Sequence, residues 1–285
     1  MSAARIFLCC LIIPLSVCAA DPPDGSSSPS GPGDVLRPKR SGDASVYLGF
    51  DLGLNFAHYM GDHVYLFTNP FDSRYAFHSR FKDGDGLGFM IQGVIDVPVS
   101  EKVGIVGKLG YISRVDVFST TFDYPLAYID PVTGWPGTAT LKGDMDLSVT
   151  FFNLDLLLRY QLAPQSWYLL GGLSISQLLG NSADFSQRIL APDNVYYTNP
   201  LELPIREVNM SDLEISGYEK TRAALKIGVG TWVKLSDAVF LTPELCVDYP
   251  FTTFAKYEGE PLAFVPDTDI RFLTISLTAG LRFGL

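Results

Sequence analysis

Beyond residue 20 the chain has one cysteine, Cys246, and fewer basic than acidic residues. It also lacks any apolar run of the ~18 residues that a membrane-spanning helix requires. Each lack excludes something. A lone cysteine closes no intrachain disulfide, so the chain is not a small disulfide-stapled scaffold. Without a long apolar run, the route into a membrane is a closed barrel. With 21 Lys and Arg against 31 Asp and Glu, the net charge of −10 repels a phosphate backbone, which argues against nucleic acid as a partner. What is plentiful is apolar surface: 47% of the 285 residues are hydrophobic, too many for a disordered chain.

The first twenty residues carry one charge, Arg5, then an apolar stretch from Ile6 to Val17 and small residues at Cys18, Ala19 and Ala20. This is the pattern of a secretory signal peptide over 1–20, removed on export. Leu15-Ser16-Val17-Cys18 has some likeness to a lipoprotein box, which leaves lipidation of Cys18 as the alternative to cleavage after Ala20. Residues 21–43 are rich in Pro, Gly and Ser with little to bury, and read as a flexible leader.

From 44 to 285 the dominant pattern is alternation, the mark of strands with two chemically different faces. In the first strand Val46, Leu48, Phe50, Leu52, Leu54 and Phe56 share one face and Gly49, Asp51, Gly53 and Asn55 the other. The pattern returns around Leu87–Val97, Ile105–Tyr111, Phe152–Tyr160, Trp167–Ile175, Leu225–Val233, Leu241–Tyr249 and Leu273–Phe283, giving eight strands. Short connections near 98–102, 163–165 and 236–238 alternate with long ones at 57–85, 116–144, 180–219 and 250–268. That layout predicts an all-β fold: an eight-stranded antiparallel up-and-down transmembrane β-barrel with its long loops outside the cell.

A soluble eight-stranded barrel also alternates, but its wet outer face carries many Lys and Glu. Here the polar face carries Gly, Ser, Thr and isolated charges, as a narrow lumen requires. Ten of those charges form a candidate lumen network: Asp51, Asp96, Lys108, Arg114, Asp155, Arg159, Lys226, Glu244, Asp248 and Arg282. Taking 236–238 as a hairpin centre predicts Lys226 opposite Asp248, with Glu244 nearby as a second partner. Tyr160, Trp167 and Phe283 near the short turns, and Phe56 and Tyr249 near the long loops, fit interfacial aromatic placement.

The hairpin Phe151–Tyr160 (FFNLDLLLRY) and Trp167–Ser174 (WYLLGGLS), with Ala224–Leu235 and the closing Leu277–Leu285, resembles the PorT-type outer-membrane β-barrel domain family, related in architecture to OmpX and OmpA. The resemblance implies a bacterial outer-membrane location and this fold, and is silent on substrate. The terminal segment is similar to a barrel-assembly signal, with Thr278, Gly280, Phe283 and Leu285 as its positions. That implies the barrel-assembly machinery as a partner.

Little in the sequence carries chemistry. His58, His63 and His78 share the first long loop without metal-ligand spacing, so no metal site is expected. His58 and Ser113 are candidates for an outer-rim esterase, but they lie on strands that are not neighbours and no acidic orienter is evident. Gly84-x-Gly86-x-Gly88 opens a strand rather than a helix, which makes it a turn rather than a phosphate loop. Asp83 and Asp85 beside it form too short a motif for a calcium loop. No catalytic residue and no cofactor is expected, divalent cations at the loops excepted.

The four long segments hold 7 basic and 18 acidic residues. An acidic crown beside lipopolysaccharide phosphates calls for divalent bridging or a basic partner. The expected role is therefore structural or interaction-based and carried by the loops, with lipids, lipopolysaccharide and an extracellular or envelope partner. A small pore or secretion-accessory barrel is the alternative, and a lipid-modifying enzyme comes third.

Overall fold

The computed structural model describes residues 46–285 apart from 61–62, 69–75, 82, 130–135, 163–166, 198–203, 214–218, 237 and 258–267. The expected signal peptide and leader lie outside the described residues. Eight long strands close a ring: β1 (Tyr47–Met60), β4 (Gly84–Pro98), β5 (Val103–Ile129), β6 (Pro136–Gln161), β7 (Trp167–Ala191), β9 (Thr221–Thr231), β11 (Val239–Pro250) and β13 (Thr268–Gly284). All pairings are antiparallel. β1 pairs on one side with β4 and on the other with β13, Tyr47 opposite Gly284 through Met60 opposite Arg271, so the sheet has no open edge along its lower half.

Among the described residues five shorter strands accompany the ring. β2 (His63–Thr68) and β3 (Ala76–Phe81) form a hairpin, β8 (Glu207–Leu213) lies along β7, β10 (Val233–Lys234) pairs with β11, and β12 (Ala255–Tyr257) pairs with β13.

The alternation makes the barrel's outside apolar in its lower half. On β1 Leu48, Phe50, Leu52 and Leu54 are exposed while Asp51 and Asn55 are buried. On β6 Phe152, Leu154, Leu156, Leu158 and Tyr160 point out while Asn153, Asp155 and Arg159 point in. Leu156 is 62% exposed and Asp155 fully buried, the reverse of a water-soluble sheet. Burying such a belt requires hydrocarbon. The eleven residues from Leu48 to His58 match the ~9–11 that a tilted strand needs to cross a bilayer.

Above this belt the faces exchange chemistry, which corrects the expected loop boundaries. Much of 116–144 and 180–219 is strand: β5 runs to Ile129, β6 starts at Pro136 and β7 runs to Ala191. There the inward residues are apolar (Phe118, Met145, Leu147, Val149 and Phe151), whereas Asp146 and Ser148 face out. The strands have left the lipid, and water now bathes the outer face. A β-bulge keeps β7 in step, since Phe151 pairs with Leu178 and Thr150 with Gly180, skipping Leu179. The skipped residue shifts the inward phase from Ser174 and Ser176 to Ala183 and Phe185.

Candidate functional site: a lumen sealed at both ends

All ten charged residues expected in the lumen point inward and are buried, and the structure adds Asp116 and Arg222. Among the described residues the interior therefore holds six carboxylates and six cations, a balanced set. These charges stack in levels along the barrel axis.

At the lower end Arg159 on β6 clamps Asp96 on β4 with two hydrogen bonds, Nε to Oδ2 at 2.8 Å and Nη2 to Oδ1 at 3.1 Å. Next comes a closed ring of alternating charge. Asp51 accepts from Lys108 Nζ at 2.7 Å and from Arg282 Nη1 at 2.5 Å. Glu244 on the far side accepts from the same Lys108 and from Arg282 Nη2 at 3.4 Å, while Tyr168 donates to it at 2.9 Å. The ring draws on β1, β5, β11 and β13, so it ties opposite walls of the barrel together.

Gly280, expected in the assembly signal, makes room for this ring. A β-carbon there would run into Asp51 Oδ1, Arg282 Nη1 and Thr242 Oγ1. Gly280→Ala is expected to destabilise the barrel by about 1–3 kcal/mol through overpacking, read as a lower midpoint of urea-induced unfolding. An unchanged midpoint would mean that the ring is not packed this tightly. Of the other signal positions, Thr278 is buried and inward, whereas Phe283 and Leu285 face out.

One level higher, Lys226 lies opposite Asp248 as expected from the hairpin, with Nζ 3.6 Å from Oδ1. Its closer partner is Asp155 on β6, reached past the intervening β7, at 2.6 Å. Asn153 and Gln92 also donate to Asp155, at 2.7 and 3.3 Å. Glu244 is not Lys226's second partner, because Lys108 and Arg282 hold it. Topmost, Arg114 Nε donates to Asp116 Oδ1 at 2.5 Å, and Tyr59 donates to the other oxygen at 2.5 Å.

Aromatic layers close both ends. The ceiling is Tyr59, Phe81, Phe118, Phe151, Phe254 and Phe272, with centroids 4.9 Å apart for Tyr59–Phe118 and for Phe254–Phe272. Arg114 and Arg222 pack against the ring of Phe272 with Cζ at 4.3 and 3.8 Å from its centroid, a cation–π arrangement. The floor is Tyr47, Trp232 and Phe240, with Trp232 5.2 Å from Tyr47 and 5.4 Å from Phe240, and with Arg159 over the indole at 5.4 Å.

The glycine triplet opens β4 as expected, but it is strand rather than turn and faces the lumen. A β-carbon at Gly84 would strike Phe118, one at Gly86 Asp116, and one at Gly88 the backbone of Ser113 and Arg114. Its job is clearance beneath the ceiling.

The remaining candidates lie elsewhere. His58 faces outward at the upper edge of the belt, and its Nδ1 is 2.8 Å from Asp85, so an acidic orienter is present after all. Ser113 does not join them. It pairs with Phe89 on β4, which pairs with Leu54, four residues below His58 on β1 and hence about 13 Å along the strand. His63 begins β2 and His78 lies in β3. Asp83 is exposed beside β4.

On the outward wall above the belt, Asp144 accepts from Lys142 at 2.6 Å and from Ser119 at 2.6 Å. Partial burial pushes its carboxyl up, but these hydrogen bonds and the Lys142 charge prevail and hold it below the usual carboxylate range. Asp144, Asp146, Asp184, Ser186 and Asn209 line a recess of about 280 Å³ there. At the tip of the β7 arm Arg206 Nη1 bonds to Asp193 and its Nη2 to the carbonyls of Ile189 and Leu190, which fastens the turn.

A closed ring of eight antiparallel strands, an apolar outer belt and a polar interior filled by side chains define an integral membrane β-barrel of the small, plugged type. No family model matches the sequence, so the PorT-type resemblance rests on strand patterns alone, and no curated protein matches it. Among solved structures the chain is similar to the attachment invasion locus protein Ail of Yersinia pestis, with 9% identity over 83% of this chain and 98% of that one, TM-score 0.30. It is also similar to the outer membrane protease OmpT of Escherichia coli, with 10% identity over 85% and 97%, TM-score 0.32. The translocator domain of the autotransporter NalP of Neisseria meningitidis gives 8% identity over 85% and 88%, TM-score 0.25. At such scores none of them lends this chain a role.

Proposed function

We propose that the chain is an outer-membrane barrel whose interior is a structural fixture and whose role is interaction, carried by the acidic assembly above the lipid. The observation that supports this reading is the filled lumen: twelve balanced charges between two aromatic layers give a solute no room to pass. Activity then falls to what projects from the membrane, namely the extended β5–β6–β7–β8 wall and the segments it carries. Their acidity suits a basic partner, or lipopolysaccharide bridged by divalent cations.

The test is to excise 187–212 and close the gap with a short Gly-Ser turn, leaving Phe185 and the ceiling in place. The parent is expected to form a cross-linked species with its partner on intact cells, and the variant should still fold and resist unfolding in detergent yet lose that species. A variant that retains every such species would overturn the reading.

The lumen also offers a simple report on its closure. Cys246 is a free thiol buried inside the barrel. A membrane-permeant maleimide should leave it unlabelled in the folded protein and label it fully in denaturant. Labelling of the folded state would support the pore alternative instead.

A lipid-modifying role has one observation in its favour, the His58–Asp85 pair facing the outer leaflet. His58→Ala should then change the lipid profile of an overexpressing strain. An unchanged profile removes this reading.

A further inference from the structure

Arg222 stands apart from the other lumen cations. It is 6% exposed, its guanidinium lies over Phe272, and Nη2 reaches Thr274 Oγ1 only at 3.5 Å, while Nε has no hydrogen-bond partner. Asp248 is 5% exposed, and its Oδ1 likewise has no hydrogen-bond partner, Lys226 approaching it at 3.6 Å.

The two orphans share one corner of the lumen. Thr274 lies directly opposite Asp248 on the neighbouring strand. Lys226 lies directly opposite Asp248 on the other side, and Arg222 is four residues along β9 from Lys226 on the same inward face. The Arg222 guanidinium thus reaches the threonine that stands opposite Asp248. Stacking on Phe272 holds the guanidinium plane, so turning Nε onto Asp248 would cost that contact.

We propose that an enclosed water molecule bridges Arg222 Nε to Asp248 Oδ1, with Thr274 Oγ1 as its third partner. A buried water takes two to four polar partners, and this corner offers three. Charge selects a neutral occupant. The Lys226 ammonium and the Arg222 guanidinium disfavour a cation here, and the Asp248 carboxylate disfavours an anion. The bridge makes Arg222 and Asp248 an ion pair coupled through water, and it completes the hydrogen bonding of the Lys226–Asp248 level, just below the topmost Arg114–Asp116 pair.

The experiment is solution NMR of the deuterated full barrel in detergent. The Arg222 Nε–Hε resonance is assigned by its loss in Arg222→Met, which keeps an apolar stem against Phe272. The expected result is strong cross-relaxation between Hε and a long-lived water, kept in Asp248→Asn and lost in Asp248→Leu. An Hε that shows no water contact in the parent, or an unchanged one in Asp248→Leu, would overturn the proposal. Should a variant fail to fold, a crystal structure of the parent that resolves bound waters decides. Density within hydrogen-bond distance of both atoms supports the bridge, and direct contact between them or an empty gap refutes it.

Discussion

Asp51→Asn is expected to lower the unfolding free energy by about 3–5 kcal/mol, the cost of breaking a buried ion pair from one side. The reason lies in the ring of four charges. Asp51 faces Lys108 and Arg282 together, so its neutralisation leaves two buried cations to share Glu244 alone. The geometry cannot relax easily, since Gly280 has already given up its side-chain volume to let these groups meet. Removing one cation as well, in Asp51→Asn with Arg282→Met, restores the balance and should recover part of the loss. Urea titration of the protein refolded into vesicles measures both. A single-variant loss below ~1 kcal/mol would mean that water screens the ring, because exposed pairs are worth no more than this.

Leu156→Arg should cost roughly 2–4 kcal/mol, the penalty for a cation near the bilayer midplane of a transmembrane barrel. Leu156 is in mid-belt on the outer face of β6, opposite Gly107 on one side and Leu173 on the other. Ten residues earlier on the same strand and the same face stands Asp146, which the faces' exchange of chemistry places above the lipid. Asp146→Arg should therefore stay within about 0.5 kcal/mol of the parent, as ordinary exposed substitutions do. The same vesicle titration decides. Equal costs at the two positions would place the belt's upper edge wrongly, and no cost at Leu156 would remove the membrane altogether.

The sequence made the lower half of the barrel legible because lipid and lumen impose opposite chemistry on successive residues. The run from Phe152 to Tyr160 shows this without ambiguity. The same rule hid the upper half. From Met145 to Phe151 the alternation continues, but its apolar phase now fills the interior, so a reader looking for a lipid face starts the strand only at Phe152. Asp116 was within reach, since it is two residues from Arg114 and shares its face.

Arg222 was equally within reach, four residues from Lys226 on the same face, although nothing in the sequence announces its stacking on Phe272. The partners of Glu244 were out of reach. Register predicts neighbours on adjacent strands, as for Lys226 and Asp248, whereas Lys108 reaches Glu244 across the barrel from a strand with which β11 does not pair. The ceiling likewise gathers residues from distant parts of the chain, such as Tyr59, Phe151 and Phe254, whose meeting depends on closure.

The central claim is that the interior is closed and that the protein acts through what it presents above the lipid. Single-channel recording on the purified barrel in a planar bilayer tests it most directly. The filled lumen predicts a silent bilayer, with no reproducible conductance steps at any applied voltage that the membrane withstands. Discrete, repeatable steps that disappear when the Asp51 ring or the Phe272 ceiling is altered would assign the current to the lumen and contradict the account.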